Sequence, residues 1–103
     1  MNNNKVEISP DAKAILFEWI ELIETDRGAD VANELIDAYE KVIILLENNP
    51  EVGTGNLKDL PKKYRALLLW KHLWIIYQTS ENQGIVKIEY IIDDRQNYKL
   101  FVR

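Results

Sequence analysis

The stretch YRALLLW-KH-LWIIYQT, residues 64–79, together with IVKIEYII, residues 85–92, decides the fold of this chain. Tyr64–Trp70, Leu73–Thr79 and Ile85–Ile92 are rich in leucine or in the β-branched and aromatic residues that strands prefer. Only Lys71 and His72 separate the first two segments, and a short polar turn separates the second and third. Strands joined by short turns pair antiparallel, so the stretch predicts a three-stranded antiparallel meander.

The last of these segments carries an alternating pattern. Apolar residues stand at every second position from Val86 to Ile92, and Lys87 and Glu89 fall between them. Alternation with a period of two predicts a strand with one apolar and one more polar face.

Two helices are predicted before the meander. The short alternating segment Lys5–Ile8 predicts a strand ahead of them. The first helix is predicted to begin directly after it, because Ser9 and Pro10 are typical of an N-cap and of a first helical position. Gly28 is placed to end this helix. Its apolar residues recur at helical spacing, and we expect Trp19 among them to lie in the core. They are Ala12, Ile15, Trp19, Ile20 and Ile23.

The second helix is predicted from about Ala29 to about Glu47, where an Asn-Asn-Pro sequence follows. Residues 51–63 have no clear period and are interpreted as a loop. The expected architecture is therefore α+β in a single domain, 1–103: an N-terminal strand, an antiparallel helical hairpin, and a meander with the helices packed on one sheet face.

The composition of the chain excludes some kinds of functional site and indicates where the protein is located. The chain has no cysteine, which excludes disulfides, thiolate metal sites and cysteine nucleophiles. It has no long apolar run and no apolar signal segment at its N-terminus, so the expected location is cytoplasmic, without membrane contact.

The charge is unevenly distributed along the chain. Residues 1–57 carry four basic and twelve acidic side chains, whereas residues 58–103 carry nine basic and five acidic ones. The basic half is the one expected to meet nucleic acid or an acidic protein, unless folding mixes the two halves.

Several short motifs, in order, resemble the RelE/ParE family of bacterial toxins over nearly the whole chain. One departure is Trp74, which stands where an arginine is common, and another is Tyr98, which replaces a proline of the family's ending. The matching segments are Val6–Ala12, Gly28–Ala32, Leu46–Gly53 (L-x-x-x-P-x-x-G), Tyr64-Arg65, Trp74–Tyr77 and Ile92–Asn97 (the F-D-x-R-Q-N ending).

The resemblance implies a growth-inhibiting toxin of a type II toxin–antitoxin system, of the kind linked to plasmid stabilisation, with a cognate antitoxin as partner and no cofactor. ParE-like members are linked to inhibition of DNA gyrase, whereas RelE-like members cut messenger RNA on the ribosome. An inactive relative that keeps only antitoxin binding is a third reading. A homodimer and a hetero-oligomer with the antitoxin both remain open.

If the chain is a ribonuclease, it needs a base, an acid and cations around the phosphate. The catalytic candidates are then Arg65, Lys71, His72, Arg95 and Tyr98, with Lys87 nearby in sequence. A metal site is not expected, because there is one histidine and no cysteine.

Each candidate also has a structural interpretation. Arg65 could reach over the exposed sheet face, or form a surface salt bridge to Asp59 or to an acid after the last strand. Arg95 is flanked by two carboxylates that would pair with it and weaken its attraction for phosphate. His72 could be a solvated turn residue, and Tyr98 could pack the C-terminal tail.

Apolar residues near the same turn are the candidate contact surface. Trp70 and Trp74 could form an exposed patch or pack across strands. Leu67, Leu69 and Ile91 are candidates for antitoxin contact, or else belong to the core.

Three features favour a ParE-like protein that acts by protein contact over an enzyme. They are the sequence pI of about 5.0, Trp74 and the D-x-R-Q-N ending.

Overall fold

A computed structural model describes residues 4–53, 57, 60–80, 82–96 and 102 of the chain. The meander is confirmed, and the N-terminal strand joins it parallel to the last strand, giving a four-stranded mixed sheet of order β1-β4-β3-β2. Among the described residues, no helix is long and apolar enough to cross a membrane. The elements are β1 (Lys5–Ile8), α1 (Pro10–Arg27), α2 (Ala29–Asn48), β2 (Arg65–Trp70), β3 (Leu73–Ser80) and β4 (Ile85–Asp93).

Ser9 starts α1 and ties it to the sheet. Its Oγ accepts a hydrogen bond from the Ala12 amide at 3.1 Å, as an N-cap does, and Pro10 occupies the first turn. The same Oγ donates to the Glu89 carbonyl at 2.9 Å, and the Ser9 amide donates to the Ile88 carbonyl at 2.8 Å. One residue therefore fixes both the start of the helix and its position over β4.

Gly28 alone separates the two helices. Its φ of 96° lies where side chains are rarely tolerated, so glycine allows the chain to leave α1 and begin α2 within a single residue. The Gly28 amide donates to the Glu24 carbonyl, and the Gly28 carbonyl accepts from the Ala32 amide. The helices therefore follow one another directly and pack on one face of the sheet.

The main core lies between the helices and this face, which we call the helix side of the sheet. Its most buried side chains come from both layers, and burying such a side chain stabilises the fold by roughly 1.5–3 kcal/mol. They include Leu16, Leu35 and Leu46 from the helices and Ile75, Tyr77, Val86 and Ile88 from the sheet.

A β-bulge in β4 changes which residues face the helices. In β3, Tyr77 pairs with Ile88 and the preceding residue, Ile76, pairs with Tyr90. Glu89 therefore has no partner in β3 and is an extra residue in β4. The expectation that one apolar face runs from Val86 to Ile92 is therefore wrong. Beyond the bulge, Ile91 faces the helices, whereas Tyr90 and Ile92 face the other way.

The opposite face of the sheet, the outer side, carries a second, smaller cluster. Tyr64, Ala66, Ile76, Ile92 and Val102 are buried there. The rings of Tyr64 and Tyr90 meet edge to face with centroids 5.8 Å apart. The sheet is thus apolar on both sides where these side chains lie.

Candidate functional site

The loop after α2 is fastened to the sheet by Tyr77. The Tyr77 hydroxyl donates to the Pro50 carbonyl at 2.9 Å and accepts from the Gly53 amide at 2.8 Å. Burial raises the pKa of Tyr77, so it stays protonated and can keep donating. A methyl group at Gly53 would come 2.5 Å from the Tyr77 hydroxyl oxygen, which explains why a glycine follows the proline at this spacing.

Arg65 belongs to the same fastening. It pairs with Tyr77 across the strands, and its Nη1 donates to the carbonyls of Glu51 at 3.3 Å and Gly53 at 3.1 Å. The expectation that Arg65 reaches over the exposed sheet face is wrong, because it lies on the helix side and binds backbone carbonyls. Asp59, the other partner considered for it, lies outside the described residues.

Arg95 is held by Asp93. Its Nε donates to one carboxylate oxygen at 3.0 Å and its Nη2 to the other at 2.7 Å, while its backbone amide also donates to Asp93 at 2.9 Å. The Asp93 side chain is buried, and the guanidinium lowers the pKa of its carboxyl below the usual range. The D-x-R sequence therefore builds an ion pair within one turn, as the neighbouring carboxylates led us to expect.

His72 is tied to the other carboxylate of that turn. Its Nδ1 lies 3.0 Å from Asp94 Oδ1, and the indole Nε1 of Trp74 donates to Asp94 Oδ2 at 2.9 Å. The Asp94 amide donates to the His72 carbonyl at 2.9 Å. The Trp74 and His72 bonds lower the pKa of the Asp94 carboxyl. At the position where an arginine is common in the resembling family, Trp74 thus serves as a hydrogen-bond donor to a carboxylate.

A cleft of about 570 Å³ opens between the end of α1 and this turn. A shallower depression of about 370 Å³ adjoins it along α1 and shares Trp19, Leu22 and Asp93 with it. Three of the candidate residues line the cleft together, whereas Arg65 is at the far end of β2, roughly 16 Å away at about 3.3 Å per residue. The candidates in the cleft are Lys71, His72 and Arg95, accompanied by Arg27, Asp26 and Asp93.

The aromatic residues of this region are arranged differently from the expectation. Trp19 is half-buried and lines the cleft rather than lying fully in the core. Trp70 packs on the helix side and Trp74 on the outer side, so they do not form one exposed patch. Lys71, whose φ is 52°, places its Nζ 4.9 Å from the centre of the Trp70 ring.

The three apolar residues that were candidates for antitoxin contact are buried or half-buried. Leu69 and Ile91 are buried in the main core, and Leu67 is half-buried against it. Leu68, which carried no role in the sequence analysis, is 48% exposed on the outer side. The bulge after Leu68, where Trp70 pairs with Leu73, puts Trp70 on the same side as Leu69.

The structure describes one of the two remaining candidates. Lys87 is exposed on β4, and Tyr98 lies outside the described residues. Burial and contact with Tyr90 raise the pKa of Tyr64 to about 12, which keeps that phenol protonated near neutral pH. Sequence reasoning missed Tyr77, Gly53 and the Trp74–Asp94 bond; the spacing of Pro50 and Gly53 was the signal that pointed to the first two.

Comparison with known proteins identifies the family. The model of the ParE toxin of type II toxin-antitoxin system, parDE, matches residues 6–98. A structure described as the chromosomal ParDE TA system from P. aeruginosa has the same fold, with a TM-score of 0.70 at 15% identity over 87% of this chain and 95% of that chain. Comparison with curated proteins finds no match. Since the family model spans nearly the whole chain, the protein belongs to the ParE family of type II toxins.

Proposed function

We propose that this protein arrests bacterial growth by contact with a protein target, DNA gyrase, and that a cognate antitoxin neutralises it. Membership of the ParE family supports the toxin role. The resemblance of Ile92–Asn97 to the ending of ParE-like members supports gyrase over the ribosome as the target.

The observation that carries the proposal is the pairing of the candidate cations with the protein's own groups. Arg65 binds two backbone carbonyls, Arg95 binds the buried Asp93 carboxylate, and His72 contacts Asp94. A guanidinium that is already satisfied by a carboxylate has less attraction for a phosphate. This arrangement favours a folding role for these residues over phosphodiester chemistry.

The cleft favours the second candidate function, a ribosome-dependent ribonuclease. It brings Lys71 and His72 beside two half-buried tryptophans, and aromatic rings can stack on unpaired bases. His72 could then take the proton of the attacking 2′-hydroxyl, because histidine is the side chain that most often acts as a general base. We rank this second because Asp94 already contacts His72 and Asp93 already pairs with Arg95.

The test is induced expression in a bacterium, with growth, plasmid supercoiling and messenger RNA integrity followed in the same culture. The proposal predicts growth arrest with altered supercoiling and with messenger RNA intact in the first minutes. Growth arrest with messenger RNA cut in translated frames would contradict the proposal and support the ribosome-dependent ribonuclease. No arrest from folded, soluble protein would indicate an inactive relative.

The variant His72→Gln sharpens the comparison, because glutamine can still hydrogen-bond to Asp94 but cannot act as a general base. Loss of a general base typically lowers a rate by about 10²–10⁴-fold, so a ribonuclease would lose its toxicity. A toxin that acts by contact should keep its growth arrest within about twofold. The matched control is Lys41→Gln, an exposed position on α2.

A further inference from the structure

The cleft between the end of α1 and the turn that links β2 and β3 contains three kinds of chemical group. Its walls include two half-buried indole rings, those of Trp19 and Trp70. Its exposed side chains include two cations, Arg27 and Lys71, and one carboxylate, Asp26. Its volume of about 570 Å³ lies within the range of pockets that bind small molecules. A ligand that fits the cleft should therefore combine a flat apolar ring, hydrogen-bond donors and a negative charge.

Arg27 and Lys71 are the side chains of the cleft best placed to bind an anion. The guanidinium of Arg95 also lines the cleft, but it is bound by Asp93, with 2.7 Å between Nη2 and Oδ2. Within the part of the chain that the structure describes, no acidic side chain lies at ion-pair distance from Arg27 or Lys71. Hydrogen bonds from a cation to a phosphate are among the strongest in proteins, so these two side chains can supply most of the attraction for a phosphate.

Lys71 is held at the cleft in a backbone conformation that lysine rarely adopts. Its φ is 52°, and it is the one described residue other than glycine with a positive φ. Asparagine and glycine are the usual residues at such a position in a two-residue turn between strands. The Lys71 Nζ lies 4.9 Å from the centre of the Trp70 ring, and this cation–π contact keeps the ammonium group beside the indole. Residues held in rarely populated conformations concentrate at functional sites, so this turn indicates a role in binding.

Trp19 and Asp26 match the uncharged parts of such a ligand. Unpaired bases bind proteins by stacking on aromatic side chains, and the half-buried ring of Trp19 can take this role. Carboxylates accept hydrogen bonds from ribose hydroxyls in dinucleotide sites, and Asp26 offers the same acceptor. Asp26 would repel a bare anion, which favours a ligand that also carries donors over phosphate alone.

We propose that the cleft binds a free purine nucleotide, with its base on Trp19, its ribose hydroxyls on Asp26 and its phosphate on Arg27 and Lys71. A purine is favoured over a pyrimidine because its two fused rings cover more of an indole. The nucleotide is bound and not cleaved, so the site needs no general base. The inference is independent of the toxin's cellular target and goes beyond the proposed function.

The first experiment titrates the full chain with AMP, adenosine and inorganic phosphate at low ionic strength, where charge interactions are least screened. AMP should bind saturably and shift the indole N–H signals of Trp19 and Trp70 in NMR spectra. The Trp74 signal is an internal control and should shift less, because its Nε1 is bonded to Asp94 and its ring packs on the outer side of the sheet. Adenosine and inorganic phosphate should each bind at least about tenfold more weakly than AMP, since each lacks one part of the recognised set.

Three results of this titration would overturn the proposal. The first is the absence of saturable AMP binding. The second is an affinity for adenosine or for inorganic phosphate equal to that for AMP. The third is a single-stranded oligonucleotide that binds at least about tenfold more tightly than AMP, because stacking and phosphate contacts repeated along a strand would assign the cleft to nucleic acid.

The variant Lys71→Asn tests the site without endangering the fold. Asparagine tolerates a positive φ better than lysine does, so the midpoint of thermal unfolding should be retained. Its affinity for AMP should fall at least about tenfold, and that of Arg27→Gln should fall similarly, because each loses a hydrogen bond to a charged group. The matched control, Lys41→Gln, removes one positive charge from an exposed position on α2 and should change the affinity less than about twofold. A folded Lys71→Asn variant that binds AMP as tightly as the wild type would contradict the proposal.

Discussion

The Tyr77 hydroxyl accepts a hydrogen bond from the Gly53 amide at 2.8 Å, across 24 residues of sequence. The same hydroxyl donates to the Pro50 carbonyl, so a central strand holds the loop that leads from α2 to β2. In the L-x-x-x-P-x-x-G motif, the proline and the glycine are thus the two residues that meet one tyrosine.

Removing this hydroxyl should destabilise the fold. Tyr77→Phe leaves the Gly53 amide and the Pro50 carbonyl without their partner, and an unsatisfied buried group costs about 1–3 kcal/mol. We expect the free energy of unfolding, measured with urea, to fall by about 2 kcal/mol. The control Tyr39→Phe removes a half-buried hydroxyl with no hydrogen bond to a described residue, and should cost less than about 0.5 kcal/mol. Equal losses for the two variants would contradict this role of Tyr77.

Adding a methyl group at Gly53 should be destabilising for a different reason. The new Cβ would lie 2.5 Å from the Tyr77 oxygen and 2.8 Å from its Cε1, so the ring or the loop must move. Overpacking of this kind typically costs about 1–3 kcal/mol. In Gly53→Ala combined with Tyr77→Phe, part of the clash disappears, and urea unfolding should show a loss smaller than the sum of the two single losses. Strict additivity would mean that the two residues do not meet.

Ser9 should contribute through two separable bonds. Ser9→Ala removes both the cap on α1 and the bond to the Glu89 carbonyl, and should lower the free energy of unfolding by about 1–2 kcal/mol. Ser9→Asp keeps a capping oxygen but has no proton to donate to Glu89, so its loss should be intermediate. Thermal and urea unfolding of the pair would check the order. An aspartate variant as stable as the wild type would show that the bond to β4 contributes nothing.

The Asp93–Arg95 pair should make stability depend on pH. Because the pKa of Asp93 is lower in the folded protein than its ordinary value of 3.8, its contribution is fully present above that value and is lost as pH falls through the folded pKa. Asp93→Asn should therefore be less stable than the wild type at pH 7, by about 2 kcal/mol for hydrogen bonds to a charged group. The difference should shrink below about pH 4.

The matched control for that pH dependence is Asp37→Asn, an exposed position on α2, which should track the wild type across the titration. A difference between Asp93→Asn and the wild type that stayed constant down to pH 2 would contradict a role for the ionised carboxylate.

How far the sequence predicts this protein depends on how local each feature is. The start of α1 was predictable because Ser9 and Pro10 act within one turn, and the meander because its strands are consecutive. The bulge at Glu89 was not, because Tyr90, Ile91 and Ile92 are all apolar and fit either face. The long-range contacts of Arg65 with the loop 51–53 leave no periodic pattern either, so its place on the helix side required the structure.

In the candidate site too, contacts between residues close in sequence were predictable and long-range contacts were not. The pairing of Arg95 with a neighbouring aspartate was predictable because the partners are two residues apart. The meeting of His72, Trp74 and Asp94 was not, because it depends on the register of β3 against β4. The pairing of β2 with β3, with its bulge after Leu68, places Trp70 and Trp74 on opposite sides of the sheet.

The most direct test of the central claim is a supercoiling assay with purified gyrase, relaxed plasmid and increasing amounts of this protein. Action by protein contact predicts that supercoiling falls as the protein is added, that His72→Gln inhibits equally, and that the antitoxin restores activity. Full supercoiling at every concentration, with ribosome-bound messenger RNA cut by the same preparation, would contradict it.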